Sequence, residues 1–319
     1  MKRSPALLVL PLVATLALSA CGSDGSADDG KPTIAASFYP YAFVAEQVGG
    51  DRVTVDNLTQ PGGEPHDLEL APKQVAEVQE ADLVVYQHEF QPAVDDAVDQ
   101  ADRAPDTTVD VADLVTELDA TAEEEGHHDD EEGHEDEAGH DDHDHGDHDP
   151  HTWLDPNNMI VVAKAVSTSL SEIDPDHAGE YAANADRLID ELSTLDSDFS
   201  TGLQTCERRT IVTAHAAFAY LAARYDLTQE SIAGIDPGNE PSPADLADIT
   251  KLVRSEGITT IFTEEHVSPA IARTVANETG ATTAVLSPIE GLTDDTADET
   301  YLTLMRQNLD ALRQANSCQ

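Results

Sequence analysis

Residues 176–203, DHAGEYAANADRLIDELSTLDSDFSTGL, decide the fold. Large apolar side chains recur in this stretch at the helical spacing of three and four residues, which places them on one face of a helix. They are Tyr181, Leu188, Leu192, Leu195 and Phe199. Apart from Gly179 near its start, the stretch runs for more than 20 residues without Gly or Pro. It therefore predicts one long helix, which can join two lobes as a stiff strut.

Short strand patterns alternate with helical patterns on both sides of this stretch. Before it, strands are expected at 33–37, 53–58, 82–86 and 107–111; after it, at 209–213, 231–235, 259–263 and 282–286. Alternation of this kind is typical of parallel α/β sheets. We therefore expect an α/β protein of two (β/α) lobes: an N-terminal lobe of residues 32–175, the linking helix 176–203 and a C-terminal lobe of residues 204–319.

Length and charge limit the classes of function. A chain of 319 residues is long enough for two domains, and 39% hydrophobic residues is ordinary for a globular protein rather than a polytopic membrane protein. The formal net charge of -48 repels a phosphate backbone, so nucleic acid is not expected as a partner. The same charge attracts cations.

The first 20 residues have the features of a signal peptide. Lys2 and Arg3 precede an apolar run from Ala6 to Leu18 that is short for a permanent membrane helix. The sequence Leu18-Ser19-Ala20-Cys21 resembles a bacterial lipobox, which predicts cleavage before Cys21 and lipidation of its thiol. Residues 21–31 are then expected to form a polar tether. The lipid on Cys21 would anchor the protein at the outer face of the cytoplasmic membrane. The alternative is an ordinary cleaved signal peptide with an unrelated cysteine.

Two cysteines remain, Cys206 and Cys318. In an oxidising compartment two remaining cysteines pair more often than not, so we expect a disulfide between them. The alternative is two buried free thiols.

Residues 123–149 contain only Glu, Asp, His, Gly and one Ala, with seven histidines among them. Such a segment has almost nothing apolar to bury and is expected to be disordered. It is either an inert solvated loop or a low-affinity metal collector, since neutral imidazoles bind metal and the carboxylates concentrate cations nearby.

Four other residues are candidate metal ligands. His66, His215 and Glu290 follow predicted strands, and His151 lies in a loop between Pro150 and Pro156. In open α/β sheets ligands bind beyond the carboxyl ends of the strands. Three imidazoles and one carboxylate suit tetrahedral Zn²⁺, whereas Mn²⁺ and Ca²⁺ favour more oxygen ligands. A single histidine is more often structural than a ligand, so the four are a hypothesis at this stage.

The sequence around these residues resembles that of zinc-binding solute-binding proteins of ABC transporters. The matching segments are Gly63-Glu64-Pro65-His66-Asp67, Pro150-His151-Thr152-Trp153-Leu154-Asp155-Pro156, Thr213-Ala214-His215-Ala216-Ala217-Phe218 and Pro288-Ile289-Glu290-Gly291-Leu292. The resemblance runs from about residue 33 to 312 and includes the acidic, histidine-rich insertion. It implies two lobes joined by a long helix with zinc in the cleft, bound by His66, His151 and His215. Glu290 matches the relatives that have glutamate as the fourth ligand, and manganese-binding relatives have a carboxylate where His215 stands.

The expected function is therefore capture of Zn²⁺ and its delivery to the membrane permease of an ABC importer, by a monomer that is not an enzyme. The alternatives are a manganese-binding homologue, a surface adhesin and a zinc hydrolase; Glu290 argues against the hydrolase because it closes the metal shell. We interpret Glu64 as a loop residue or an outer partner of the site, Asp155 as a helix cap and Trp153 as part of the cleft wall. Three further histidines are interpreted as structural or exposed: His88, His177 and His266.

Overall fold

The structure is a computed structural model that describes residues 30–120, 148–265 and 267–319. The expected signal peptide, Cys21, most of the histidine-rich segment and His266 lie outside the described residues. The chain divides into the units Met1–Lys31 and Pro32–Gln319, and the description below concerns the second. Among the described residues no helix is long and apolar enough to cross a membrane.

The first half of the unit forms a parallel sheet. Its elements are β1 (Thr33–Ala36), α1 (Tyr39–Gly49), β2 (Thr54–Asn57), α2 (Pro72–Glu80), β3 (Leu83–Tyr86), α3 (Pro92–Ala101) and β4 (Thr108–Asp110). The strand order is β2-β1-β3-β4, and every neighbouring pair is parallel. All four residues of β3 are buried, as expected for a central strand covered on both faces.

Three elements connect this sheet to the long helix. A short antiparallel pair, β5 (Leu118–Asp119) and β6 (His148–Asp149), joins the two ends of the histidine-rich segment. α4 (Pro156–Ile173) follows, and the side chain of Asp155 accepts a hydrogen bond from the backbone N–H of Asn157. Asp155 is therefore the helix cap that its position before Pro156 predicts.

The predicted long helix is α5 (Ala178–Gly202). Its apolar residues Leu188, Leu192 and Phe199 are buried, and the helix packs against α1, α4 and α9. These contacts belong to one hydrophobic core that includes Ile34 of the first sheet and Ile211 of the second. The helix is thus part of a shared core as well as a connection.

The second half repeats the α/β arrangement. Its elements are β7 (Thr210–Thr213), α6 (Ala219–Arg224), β8 (Thr228–Ser231), α7 (Pro243–Glu256), β9 (Thr260–Thr263), α8 (Ala270–Thr279), β10 (Thr282–Val285) and α9 (Tyr301–Ala315). The strands are parallel in the order β10-β9-β7-β8. The predicted α/β class with parallel sheets is confirmed.

One predicted strand is misplaced. The apolar run after Ser231 predicts a strand at 231–235, but the strand is β8, Thr228–Ser231, with Thr228 opposite Thr210. β8 lies at the edge of its sheet, where a strand can be polar. Its Thr-Gln-Glu-Ser sequence has no apolar alternation, so the sequence pattern does not predict a strand there.

Cys206, between α5 and β7, forms a disulfide with Cys318, which follows α9. The predicted pairing is confirmed. It joins the start of the second half of the chain to the end of the last helix.

Candidate metal centre

The four candidate ligands of the sequence lie together in the structure. His66, His151, His215 and Glu290 are all buried, and one possible ligand atom from each lies within 4.8 Å of the other three. Glu290 Oε1 is 3.4 Å from Nε2 of His66, 3.4 Å from Nε2 of His215 and 3.6 Å from Nε2 of His151. The Nε2 atoms of His151 and His215 are 3.4 Å apart.

Four of these separations are close to those of a tetrahedral metal site. In a regular tetrahedron with metal–ligand bonds of about 2.0–2.1 Å, neighbouring ligand atoms are about 3.3–3.4 Å apart. The three distances from Glu290 Oε1 to the histidine Nε2 atoms and the distance between Nε2 of His151 and Nε2 of His215 are 3.4, 3.4, 3.6 and 3.4 Å. The cluster is therefore compact enough for three nitrogen ligands and one oxygen ligand to share one small cation.

His66 and His215 come from loops that follow parallel strands. His66 lies in the loop after β2, where Gln91 Nε2 donates to the carbonyl of Pro65 at 3.2 Å. His215 lies two residues after β7, and the hydroxyl of Thr213 donates to its carbonyl at 2.7 Å. Both positions agree with the general rule that ligands bind beyond the carboxyl ends of the strands.

Glu290 is held by a buried loop after β10. The side chain of Asn308 binds both backbone groups of Ser287: its Oδ1 accepts from the N–H at 2.8 Å and its Nδ2 donates to the carbonyl at 2.7 Å. Ile289 has a φ of 57°, in the left-handed region that a β-branched residue rarely adopts. Such strain persists only where surrounding contacts enforce it, and it lies directly before Glu290.

The loop of His151 is fixed by a buried polar network. Gln87 Nε2 donates to the carbonyl of Pro150 at 2.9 Å, while its Oε1 accepts from Tyr41 at 2.6 Å and from Thr152 at 2.7 Å. Because each of these groups is paired, the network supports a single arrangement of the loop.

Trp153 is fully buried and lies beside His151 of the four-residue group. Its ring centroid lies 4.7 Å from that of Phe38, 5.3 Å from Phe90 and 5.1 Å from His151. Its Nε1 donates to the carbonyl of Pro288 at 2.7 Å, two residues before Glu290. Trp153 thus connects the loop of His151 to the loop of Glu290.

Two further residues of the site were missed by sequence reasoning. Asp149 Oδ1 is 2.7 Å from Nδ1 of His151, and Glu264 Oε2 is 2.5 Å from Nδ1 of His215. Glu264 follows β9, the neighbour of β7, so its position after a strand was the available signal. The composition of residues 123–149 predicts disorder, which is wrong for the last two residues, His148 and Asp149, because they form β6. The structure pairs them with β5 and buries Asp149 beside His151.

Glu64, His88 and His177 all lie outside the four-residue group. Glu64 Oε1 accepts from the backbone N–H of His66 at 3.1 Å and is not in the four-residue group. His88 and His177 lie outside that group, each with its Nδ1 2.7 Å from a carboxylate, of Asp110 and Asp174 respectively. They are partly exposed structural pairs.

The electrostatics of the site favour a cation among the ligands. Burial disfavours a charged imidazolium, but Asp149 and Glu290 outweigh that effect and raise the pKa of His151. Glu264 and Glu290 likewise raise the pKa of His215 well above its ordinary value, against the effect of burial. Burial would raise the pKa of Glu290, yet hydrogen bonds with the three histidines hold it well below the usual range. The carboxylates therefore attract positive charge to this point, as protons or as a metal ion.

Comparison with known proteins gives one consistent result. The family described as "Zinc-uptake complex component A periplasmic", ZnuA, matches residues 34–315. The chain is 39% identical over 310 residues to the zinc-binding lipoprotein AdcA of Streptococcus pneumoniae, covering 96% of this chain and 60% of AdcA. It is 35% identical over 309 residues to the high-affinity zinc uptake system protein ZnuA of Bacillus subtilis, covering 93% of each.

Solved structures give the same picture. The Zn(II)-bound ZnuA-like domain of S. pneumoniae AdcA has a TM-score of 0.73 at 34% identity, covering 90% of this chain and 99% of that one. The laminin-binding protein Lmb of Streptococcus agalactiae, described as bifunctional with adhesin and metal-transporting activity, has a TM-score of 0.74 at 30% identity, covering 89% and 99%.

Proposed function

Because this chain belongs to the ZnuA family of zinc-uptake components, we propose that it binds one Zn²⁺ ion through His66, His151, His215 and Glu290 and delivers the ion to an ABC importer. The observation that carries the proposal is the buried cluster of one carboxylate and three imidazoles, whose possible ligand atoms lie within 4.8 Å of one another. Zinc binds nitrogen and oxygen ligands together in a four-coordinate site, and its filled d shell imposes no geometric preference of its own.

The relatives support zinc in particular. AdcA is named a zinc-binding lipoprotein, the B. subtilis relative is named for zinc uptake, and the ZnuA-like domain of AdcA is Zn(II)-bound in its crystal structure. The chain spans about 60% of the length of AdcA, so the activity of that whole protein comes to this chain as a proposal only.

We also propose the setting in which the protein acts. Cleavage before Cys21 and lipidation of its thiol would tether the chain to the outer face of the cytoplasmic membrane, where a monomer meets the importer's permease. The proposed organisation is an N-terminal lobe of residues 32–175, the linking helix 176–203 and a C-terminal lobe of residues 204–319. His66 and His151 come from the first lobe and His215 and Glu290 from the second, so the ion would lie between them.

A binding role accounts for the site better than hydrolysis. A zinc hydrolase keeps one coordination position open for water. Here Glu290 Oε1 lies between 3.4 and 3.6 Å from each of the three Nε2 atoms. As the fourth ligand, this buried carboxylate would take the coordination position that a reacting water needs.

Metal competition tests the proposal. Purified protein is titrated with Zn²⁺ and Mn²⁺ against a chelator of known affinity, and the bound metal is counted per chain. We expect one tightly bound Zn²⁺ that Mn²⁺ displaces poorly, and severe weakening in His66→Ala, His151→Ala and His215→Ala. His177→Ala is the matched control, because His177 is also paired with a carboxylate but lies outside the group. Zinc affinity that survives His215→Ala unchanged would overturn the ligand assignment, and a preference for Mn²⁺ would favour the manganese alternative.

A second candidate function is adhesion to the extracellular matrix. It is favoured by the similarity to Lmb, which is described as having adhesin and metal-transporting activity. Saturable binding of the purified protein to immobilised laminin, compared with an unrelated acidic protein of similar net charge, tests it. Equal retention of both proteins would attribute the binding to charge alone.

A further inference from the structure

Each candidate histidine ligand has a carboxylate hydrogen-bonded to its own backbone N–H. Glu64 accepts from His66 at 3.1 Å, and Asp149 accepts from His151 at 2.9 Å. Both pairs share the sequence acid–Pro–His, in Glu64-Pro65-His66 and Asp149-Pro150-His151. A short side chain that bonds the backbone two residues later stabilises a tight turn, which is the arrangement at Asp149. Glu64 makes the same contact with a side chain that is one methylene longer.

The third histidine obtains the same contact from a distant part of the chain. Glu264 Oε1 accepts from the backbone N–H of His215 at 3.1 Å. Glu264 follows β9 and His215 follows β7, and these strands are parallel neighbours. Because the carboxyl ends of neighbouring parallel strands meet at one edge of the sheet, Glu264 reaches His215 without a local turn.

Two of these carboxylates also bind the imidazole ring. Asp149 Oδ1 is 2.7 Å from Nδ1 of His151, and Glu264 Oε2 is 2.5 Å from Nδ1 of His215. Asp149 is 3% exposed and Glu264 5% exposed, so water does not compete freely for these bonds. A carboxylate that accepts from Nδ1–H leaves Nε2 as the lone-pair nitrogen, and in both rings Nε2 faces the shared centre with the two atoms 3.4 Å apart.

We propose that Asp149 and Glu264 are positioning residues for the metal site: each holds one histidine, by backbone and ring together, in the orientation and tautomer that present Nε2 to the ion. The inference rests on the zinc-binding function proposed above. Neither residue belongs to the four-residue group, so each acts on metal affinity through its histidine. Loss of a carboxylate that is hydrogen-bonded to a ligand histidine typically lowers the metal affinity by roughly 10- to 100-fold.

Single substitutions give the first test. Asp149→Asn and Glu264→Gln keep the size of the side chain but remove its charge. Glu264→Gln also removes one of the two oxygens that contact His215. Both contacts of His151 are to Oδ1 of Asp149, which an Asn oxygen could keep, so Asp149→Ala is measured as well. We expect each to weaken zinc binding by roughly 10- to 100-fold in chelator competition. Glu64→Gln is expected to have a smaller effect, since the hydrogen bond of Glu64 to His66 is to the backbone.

The control variant is Asp174→Asn. Asp174 Oδ2 lies 2.7 Å from Nδ1 of His177, so the substitution makes the same chemical change to a carboxylate–histidine pair outside the site. It should leave zinc affinity unchanged. Thermal unfolding of each zinc-free variant shows whether the fold is retained.

Double-mutant cycles separate positioning from a general effect of charge or stability. If Glu264 acts through His215, Glu264→Gln should cost almost nothing further in a His215→Ala background, whereas Asp149→Asn should keep its full effect there. The converse should hold in a His151→Ala background. A Glu264→Gln effect of the same size with and without His215 would overturn the proposal.

A second readout uses Co²⁺ in place of Zn²⁺ and does not depend on measurable zinc binding by the double variants. Four-coordinate Co²⁺ absorbs visible light far more strongly than six-coordinate Co²⁺. At saturating Co²⁺ we expect Glu264→Gln to lower the absorbance per bound ion, because His215 no longer stays at its corner; a spectrum identical to that of the unsubstituted protein would overturn the proposal. Absence of zinc binding by the unsubstituted protein would instead refute the proposed function.

Discussion

The boundary of the histidine-rich segment gives the sharpest prediction. From sequence alone, deletion of residues 123–149 is expected to leave the fold and the tight site intact. The structure places His148 and Asp149 in β6 and gives Asp149 two hydrogen bonds to His151. We therefore predict that deletion of 123–147 preserves tight zinc binding and that deletion of 123–149 weakens it.

The expected difference follows from the contacts of two residues. Loss of Asp149 removes the acceptor for the backbone and ring N–H groups of His151, and its carbonyl no longer accepts from the Tyr220 hydroxyl at 2.8 Å. A lost carboxylate behind a ligand histidine weakens the metal affinity by roughly 10- to 100-fold, or about 1.4–2.7 kcal/mol. In the shorter deletion Asp119 still faces His148, and residues 120–122 remain to connect them as a hairpin loop.

Chelator competition measures the tight site of both deletions, and titration calorimetry counts any weaker zinc ions. A third protein, the 123–147 deletion carrying Asp149→Asn, separates the loss of the carboxylate from the loss of the β5–β6 pair. Both deletions should lose the same weak sites if the segment collects metal. Equal tight-site affinity in the two deletions would refute the role given to Asp149, and loss of the tight site in the shorter one would mean that the segment supplies a ligand.

Three other predictions concern stability and pH. Replacing Cys206 and Cys318 by Ala should lower the free energy of unfolding by about 4.8 kcal/mol on the chain-entropy account for their sequence separation of 112, and denaturant unfolding beside reduced and oxidised unsubstituted protein checks this. Leu192→Ala should cost about 2–5 kcal/mol, because this side chain of α5 is fully buried; equal denaturation midpoints would contradict that packing. Because the pKa values of His151 and His215 are raised, protons should compete with zinc up to a pH above the ordinary imidazole value of about 6.5, so affinity should rise with pH through neutrality. Competition titrations that level off below that value would contradict the pKa direction.

The fold was predictable where a periodic pattern coincides with burial. α5 was found because one face of it is apolar throughout, and that face is the one buried in the shared core. β8 was misplaced because an edge strand needs no apolar alternation, so the apolar residues that follow it had the stronger pattern. The shared core itself could not be predicted, since periodicity identifies the buried face of a helix but not the elements that cover it.

The grouping of the four candidate ligands was predictable for a different reason. His66, His215 and Glu290 follow predicted strands, and His151 lies between prolines, so chemistry and position agree at each one. The carboxylates behind the histidines were harder. Glu264 stands next to Glu265 with nothing in the sequence to distinguish the two, and its role depends on β9 lying beside β7. Asp149 was hidden by the composition of the segment before it.

Contacts that do not involve an ion connect the loops of the four-residue group. Trp153 Nε1 donates to the carbonyl of Pro288, and the hydroxyl of Tyr301 donates to the carbonyl of Trp153 at 2.6 Å. At the loop of His66, the N–H of Gly62 donates to the carbonyl of Leu292 at 2.9 Å. Each such bond contributes only about 0.5–1.5 kcal/mol, but together they connect the loops of His66 and His151 to the loop of Glu290. On the proposed function, an entering ion would therefore find these four side chains already close together, and little of its binding free energy would be spent on ordering them.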